Sequence, residues 1–190
     1  MSRGQVPDRG GAPGQDWTRR DFLIGAGALW GASSLALPAR VLAEATATFS
    51  LSAEAKAALT KTPLVYISPL LAGGGESRCH GEVWFFDDEG DVVIFASKES
   101  WKVRALALGR DQARIWVGDF GPVSGAGDRY RKAPNFLSQA ELDPSSEAFE
   151  RLMKSYSQRY ADEWGKWGPR FRKGYEEGTR TLIRYRPVAA

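Results

Sequence analysis

Residues 87–106 read DDEGDVVIFASKESWKVRAL, and this stretch contains a turn, a strand and the start of a helix. The acidic turn DDEG (87–90) separates two apolar runs, VWFF before it and VVIF after it, a pattern typical of a β-hairpin. Both runs are apolar at successive positions, whereas a strand with one exposed face alternates apolar and polar side chains. We therefore expect strands covered on both faces, as in a filled barrel.

The polar segment SKES (97–100) lies where the strand gives way to helical spacing, with Trp101, Ala105 and Leu108 on one side and a glycine after them. A strand-to-helix junction presents free backbone N–H groups and the positive end of the helix dipole. Two serine hydroxyls and the ammonium group of Lys102 would converge on the same point. The junction therefore predicts an anion site suited to a phosphate. The alternative is that Lys102 and Arg104 are solvated charges on a surface helix.

The order of elements from residue 60 to 120 is strand, loop, tight hairpin, short helix opening on Ser-x-Lys, and strand. It resembles the flavin-binding split β-barrel of the pyridoxamine 5'-phosphate oxidase-like superfamily, which also contains deazaflavin-coenzyme reductases and some haem-handling proteins. The C-terminal TLIRYRP (181–187) extends the resemblance, which is weak between residues 121 and 178. It implies an α+β fold, an antiparallel split barrel with flanking helices over residues 48–188, and a homodimer with its cofactor between the subunits.

The resemblance also implies a set of cofactor-binding residues: Arg78, Ser97, Ser100, Trp101 and Lys102. Lys102 and Ser100 would bind the phosphate, and Arg78 would supply a second cation. Two positions depart from the family pattern, because Ala96 and Trp101 stand where members often have Thr and Arg. The implied cofactor is FMN, with a deazaflavin coenzyme or haem as alternatives.

The rest of the chain predicts further elements. A short helix is expected between Ser52 and Pro63, and strands over PLVYIS (63–68) and ARIWVGDF (113–120). Residues 121–144 are rich in Gly, Pro and turn residues and predict a long loop bordering a site, ended by a helix that Asp143 caps.

An apolar stripe at helical spacing follows that cap, and WGKWGP (164–169) is expected to interrupt it before a short helix. The closing segment RTLIRYRP (180–187) predicts a strand with one basic face. Its Arg184 and Arg186 could reach a ligand, although an exposed basic edge is the simpler interpretation.

The first 43 residues indicate a disordered lead followed by a twin-arginine export signal. Arg19 and Arg20 precede a Gly/Ala-rich apolar run (22–37), and a small-residue stretch follows, with cleavage expected between Ala43 and Glu44. The run is shorter than the roughly 20 residues that a membrane-spanning helix needs, so no membrane span is expected after its removal. The protein is expected in the periplasm, or otherwise exported. Because this route carries folded cargo, it suits a protein that must load a noncovalent cofactor in the cytoplasm.

Charge and composition limit the other possibilities. The chain has 26 Lys/Arg and 23 Asp/Glu, of which the first 43 residues hold five and three, so 21 basic and 20 acidic side chains remain. This balance gives no field that would attract nucleic acid. Cys79 and His80 are the single cysteine and histidine, which argues against a disulfide framework, an all-protein metal site and a histidine-dependent triad.

The sequence is compatible with three functions. The first is an oxidoreductase in which FMN or a deazaflavin transfers a hydride to or from a small molecule. The second is a noncatalytic periplasmic module that binds a ligand such as haem, with His80 as axial ligand. The third is a degenerate barrel that serves as a dimeric interaction domain. Catalytic residues are not predicted, and Trp84 and Trp116 are interpreted as core aromatics that could also stack on a flavin.

Overall fold

The structure is a computed structural model that describes residues 51–189, part of the compact unit Ala45–Ala190. The predicted lead and export signal lie outside the described residues. The strands are β1 Leu64–Pro69, β2 Gly81–Trp84, β3 Phe86–Asp88, β4 Asp91–Ser97, β5 Gln112–Val117, β6 Asn135–Asp143 and β7 Arg180–Val188. The helices are α1 Ala53–Lys61, α2 Trp101–Ala107, α3 Val123–Ala126, α4 Ser146–Arg159 and α5 Ala161–Glu176, with a 3₁₀ turn at Arg129–Lys132.

All seven described strands pair antiparallel in the order β2-β1-β5-β6-β7-β4-β3. The two edge strands, β2 and β3, are consecutive in the chain and are separated by Phe85 alone. Because opposite edges of the sheet are joined by one buried residue, the sheet must curl until they meet. The predicted α+β split barrel with flanking helices is confirmed.

The hairpin around the acidic turn is shorter than predicted. Only β3 pairs with β4, over Phe86 to Asp88, while β2 pairs with β1 on the far edge of the sheet. The break at Phe85 is stabilised by the Tyr160 hydroxyl, which accepts a hydrogen bond from Phe85 N at 3.0 Å and lies 2.9 Å from the Pro63 carbonyl oxygen. Burial raises the pKa of Tyr160 to about 12, so this hydroxyl keeps the proton that it donates. Tyr160 thus satisfies the backbone where the barrel splits.

Tyr160→Phe should lower the free energy of unfolding by about 1–3 kcal/mol, because it leaves the buried Phe85 N–H without an acceptor. Denaturant unfolding of the purified variant measures this change. Tyr175→Phe is the matched control, since Tyr175 stacks on Phe149 at 3.8 Å and its hydroxyl forms no hydrogen bond within residues 51–189. Equal losses in the two variants would contradict a specific role for Tyr160.

The strand after the turn is covered on both faces, as its continuous apolar run predicts. Val92, Ile94 and Ala96 face the barrel interior, which the apolar residues of β1, β5 and β6 fill. Val93 and Phe95 face outward and pack against α4 and α5. A third apolar cluster, around Tyr66, Trp116 and Tyr130, lies on the outer face beside α3. The barrel therefore has one core inside and two outside it.

Two predictions in the second half of the chain are wrong. The expected loop at 121–144 contains β6, which lies between β5 and β7 in the sheet. Its buried positions Phe136, Ser138 and Ala140 include two small residues, so their apolar signal is weak. The buried Ser138 hydroxyl is satisfied by donating to the Ala113 carbonyl at 3.1 Å.

The predicted helix boundaries also change. Ser145, not Asp143, caps α4, because its hydroxyl accepts from Ala148 N at 3.0 Å. Helix α5 continues through Pro169, where an interruption was expected. A proline inside a helix costs about 3 kcal/mol, but the aromatic face on both sides of it packs against the sheet and offsets that cost.

Arg184 is not part of an exposed basic edge, because β7 is an interior strand and the Arg184 side chain is only 12% exposed. Its guanidinium donates to Asp143 at 3.0 Å, to Asp91 at 3.0 Å and to Asp88 at 2.6 Å. Asp88 also accepts from Arg151. This carboxylate network ties β3, β4, β6, β7 and α4 together. Arg184 therefore has a structural role in the fold and does not line the cleft described below.

Asp88 should make the protein sensitive to acid. Hydrogen bonds from Arg151 and then Arg184 hold the pKa of Asp88 below its ordinary value of 3.8, against the opposing effect of burial. A depressed folded-state pKa gives stability that is present above the unfolded pKa and is lost as the pH falls through the folded value. Unfolding free energies measured between neutral pH and pH about 3 should therefore fall below pH about 4 in the wild type. The fall should be shallower in Asp88→Asn, and identical slopes would contradict the role of this carboxylate.

Candidate cofactor-binding cleft

A cleft of about 510 Å³ lies between α5 and the outer face of the sheet, beside β2 at the split of the barrel. Five aromatic side chains line it: Trp84, Phe95, Tyr156, Trp167 and Phe171. They come from β2, β4, α4 and α5, so only the folded barrel brings them together. A concave site with aromatic walls and few polar groups is typical of a pocket for a small organic ligand.

The aromatic walls are fixed by their neighbours. The Trp84 ring stacks on Tyr160 with centroids 4.1 Å apart and planes at 2°. It also meets the edges of Trp167 at 6.3 Å and Phe171 at 6.1 Å. Trp167 Nε1 donates to Glu163 Oε2 at 3.2 Å, which orients that indole. The cleft is therefore a preorganised surface for a planar ring.

Arg180, at the start of β7, supplies the cation of the cleft. Its guanidinium carbon lies 5.4 Å from the Phe171 ring centroid and 6.0 Å from that of Phe95. No carboxylate within residues 51–189 forms an ion pair with it, so its charge is available to a ligand. Gly174 makes this position possible, because a Cβ there would lie 2.7 Å from Arg180 Cδ.

The predicted anion-binding junction adjoins this end of the cleft. Ser97, the last residue of β4, lies directly opposite Arg180 in the β4–β7 pairing and on the same face as Phe95. Lys98 N donates to the Thr179 carbonyl at 3.0 Å, which fixes the turn beside Arg180. Ser97 Oγ accepts from Glu99 N at 3.2 Å, and Ser100 N donates to the Ser97 carbonyl. The junction is thus a closed turn next to an unpaired arginine.

Ser100 and Lys102 take local roles in the structure. Ser100 caps α2, because its hydroxyl accepts from Val103 N at 3.5 Å. Lys102 is half-buried, with Nζ 4.2 Å from the Trp101 ring centroid. Burial lowers the pKa of Lys102, and the negative charge of Glu82 opposes that shift. Glu82 lines the cleft, whereas Lys102 is not among the lining residues.

Arg78 and Trp101 belong to a different part of the surface. Arg78 is exposed in the β1–β2 loop. Its neighbours Ser77 and Cys79 line a separate cavity of about 170 Å³, together with Trp101. The five predicted residues therefore divide between two places, and only Ser97 is joined to the cleft through its strand partner.

Arg180, Trp167 and Phe171 line the candidate cleft but were not predicted from the sequence. Trp164, Trp167, Phe171 and Tyr175 recur at intervals of three and four, which indicates one helical face. That signal was available, but Pro169 in its middle argued for a break. Arg180 is one of many arginines, and nothing in the sequence shows that it faces Phe171.

His80, the candidate haem ligand, lies just before β2 and away from the cleft aromatics. Within residues 51–189 its Nδ1 is buried without a hydrogen-bond partner, and its ring centroid is 6.0 Å from that of Tyr130. The Tyr130 hydroxyl is likewise buried and unpartnered among these residues. Trp116 belongs to the same aromatic cluster, which leaves Trp84 as the predicted tryptophan that lines the cleft.

Comparison with solved structures assigns the architecture to a known fold, the α+β split β-barrel. HutZ, a haem storage protein from Vibrio cholerae, matches with a TM-score of 0.50 and 14% identity over 75% of this chain and 93% of its own. A conserved hypothetical protein from Mycobacterium tuberculosis matches at 0.48 and 20% identity, over 76% and 83%. An FAD-binding protein from Mesorhizobium loti matches at 0.47 and 11% identity, over 74% and 91%.

The structural match with HutZ supports the shared fold alone. No protein-family model and no curated protein sequence matches it. Within residues 51–189, no group of three or more His, Cys, Asp or Glu side chains is arranged to bind a metal ion. The same part of the chain has no helix with the length and apolarity needed to cross a bilayer.

Proposed function

We propose that the protein binds FMN in the aromatic cleft and acts as an exported oxidoreductase on a small-molecule substrate. The observation that carries this proposal is the unpaired Arg180 at the end of an aromatic cleft, directly opposite Ser97 at the predicted anion-binding turn. A planar ring with a phosphate tail matches that arrangement of an apolar wall and one terminal cation. A deazaflavin coenzyme has the same general chemistry and is the nearest alternative ligand.

The residues of the cleft fit the two halves of such a ligand. Trp84 and Trp167 offer aromatic surface to the ring, and their mutual contact holds that surface rigid. Arg180 and the Ser97 hydroxyl would take the phosphate. The carboxylates of Glu82 and Glu163 also line the cleft, so a dianion is favoured only at the Arg180 end.

The chain itself supplies binding and orientation. When bound, FMN supplies the hydride chemistry, so no general base need come from the protein. The aromatic walls exclude water from one side of the ring, and the arginine fixes the position of the phosphate. Substrate would reach the ring from the open side of the cleft. We further propose a homodimer, in which a second subunit borders that opening and leaves room for the substrate.

A comparison of FMN with riboflavin tests the phosphate site, because the two ligands differ only in the phosphate. Residues 45–190 suit the experiment, since all three apolar cores lie within the described part of this unit. Titration followed by flavin fluorescence should show tighter binding of FMN. Ser97→Ala should weaken FMN binding by about tenfold, the effect of about 1.4 kcal/mol, and should leave riboflavin binding unchanged. Equal affinities for the two flavins in the wild type would contradict the proposal.

A haem-binding role is the second candidate, favoured by the likeness to a haem storage protein and by the unpartnered nitrogen of His80. Because Nδ1 is buried, Nε2 is the nitrogen that would bind iron. A titration with haemin that produces a sharp Soret band in the wild type and not in His80→Ala would favour this role. Unchanged haemin affinity in that variant would remove it.

We also propose export through the twin-arginine pathway to the periplasm, on the sequence of the first 43 residues. Replacing Arg19 and Arg20 by lysine should retain the full chain in the cytoplasm, as measured by fractionation of expressing bacteria. Export of the lysine variant at the wild-type rate would contradict this route.

A further inference from the structure

Two neighbouring loops at one end of the barrel expose leucine side chains. Leu71, between β1 and β2, is 43% exposed, and Leu108, between α2 and β5, is 71% exposed. Both line one shallow cavity of about 450 Å³. A hydrogen bond of 2.8 Å from Leu70 N to the Gln112 carbonyl holds the loops together. We name this region, loops 70–75 and 108–112 with the adjoining Arg78 and Arg104, the loop-tip surface.

Tight glycine turns present the two leucines. Gly74 has φ +75° and Gly109 has φ +70°, in the left-handed region that other residues rarely adopt. Each glycine therefore allows its loop to reverse direction next to a leucine. The backbone conformation at these turns therefore places the Leu71 and Leu108 side chains at the loop tips.

The loop-tip surface is also basic. Arg78, Arg104 and Arg110 are all exposed, and none forms an ion pair or side-chain hydrogen bond within residues 51–189. Arg104 and Arg110 line the 170 Å³ cavity, which shares Leu108 with the larger one. Asp111 is the one acidic residue among those lining the two cavities.

Arginines elsewhere in the described chain are mostly compensated. Arg114 and Arg131 pair with Glu76, and Arg184 pairs with three aspartates. Unpaired arginines around exposed leucines are therefore a local feature of this end of the barrel. The positive charge of these arginines favours an anionic partner, and the exposed leucines favour a partner with an apolar region.

We infer that the loop-tip surface docks the protein on an anionic phospholipid bilayer. Apolar side chains inserted at the headgroup level and nearby cations on lipid phosphates both contribute to such peripheral binding. A stable protein interface buries about 1,600 Å² with an apolar centre, which two isolated leucine tips do not provide. Charge complementarity and the small apolar area thus favour a lipid surface as the occupant.

Co-sedimentation with lipid vesicles tests the inference on residues 45–190, which omit the apolar run of the export signal. The protein should bind vesicles of phosphatidylcholine mixed with phosphatidylserine, and should not bind phosphatidylcholine alone. The double variant Leu71→Gln/Leu108→Gln should bind about tenfold more weakly. The double variant Arg104→Gln/Arg110→Gln should lose vesicle affinity by at least as much, because each arginine contributes about fivefold. The binding that remains should depend less on the salt concentration.

Leu142→Gln is the matched control, because Leu142 is also a large exposed hydrophobic residue, at 48%, but lies on β6. It should bind vesicles like the wild type, and FMN titration of every variant should remain unchanged. Absence of binding to phosphatidylserine vesicles would overturn the inference, as would an equal loss in Leu142→Gln. Conversion of a dimer to a monomer by the leucine variants, without vesicle binding, would instead identify an interface between copies and would also overturn it.

Discussion

Replacing Arg184 by alanine should lower the free energy of unfolding by about 3–5 kcal/mol, the cost of breaking a buried charge network by removing one partner. The guanidinium is the common donor to Asp88, Asp91 and Asp143, and the Asp88 and Asp143 side chains are only 10% and 11% exposed. Without it, carboxylates from three strands face one another with Arg151 as the remaining cation at Asp88. Urea unfolding at neutral pH measures the loss.

Arg186→Ala is the control for this experiment. Arg186 lies two residues further along β7, but it is 52% exposed and pairs with Glu141, which is 50% exposed, and more distantly, at 3.7 Å, with Asp91. An exposed pair of this kind contributes about 0–1 kcal/mol. If both arginine variants lose the same stability, the network around Arg184 is not the stabilising feature that its burial indicates.

Arg180→Ala should weaken FMN binding by about 30-fold, which corresponds to about 2 kcal/mol for a hydrogen bond between charged groups. Riboflavin affinity should change little, because Arg180 is proposed to contact the phosphate and not the ring. Fluorescence titration of both ligands measures the difference. Arg186→Ala again serves as the control, since it removes an equal charge from the same strand at an exposed position.

Gly174→Ala tests the position of Arg180 without removing its charge. The added Cβ would come within 2.7 Å of Arg180 Cδ, so the arginine must move. FMN affinity should fall part of the way towards that of Arg180→Ala. Unchanged FMN binding in both variants would exclude Arg180 from the site.

The barrel could be predicted because its signals are local. The turn at 87–90, the doubly apolar strand after it and the Ser-x-Lys helix start all lie within twenty residues. Strand β6 could not be predicted, because Ser138 and Ala140 are buried by their neighbours in the sheet and not by their own apolarity. Helix α5 was divided in error, because tertiary packing of Trp167 and Phe171 outweighs the local cost of Pro169.

Of the candidate site, only the turn at Ser97 could be predicted, because its signals are local in the sequence. Ser97 lies at a junction that the local sequence defines, and the structure places it beside the cleft. Its partner Arg180 is 83 positions later in the chain, and the aromatic walls come from three further elements. Only the sheet order, which sets β7 against β4, brings that cation to the turn. Arg184 is the opposite case. The sequence predicted an exposed basic edge, but β7 lies between β6 and β4 in the sheet, where the Arg184 side chain is only 12% exposed.

Native mass spectrometry of residues 45–190 after incubation with FMN tests the central claim most directly, because it reports bound ligand and subunit number together. The account predicts one FMN per chain in the wild type, and little or none in Arg180→Ala under the same conditions. Ions of protein without FMN in the wild type would contradict it, as would full FMN occupancy in the variant.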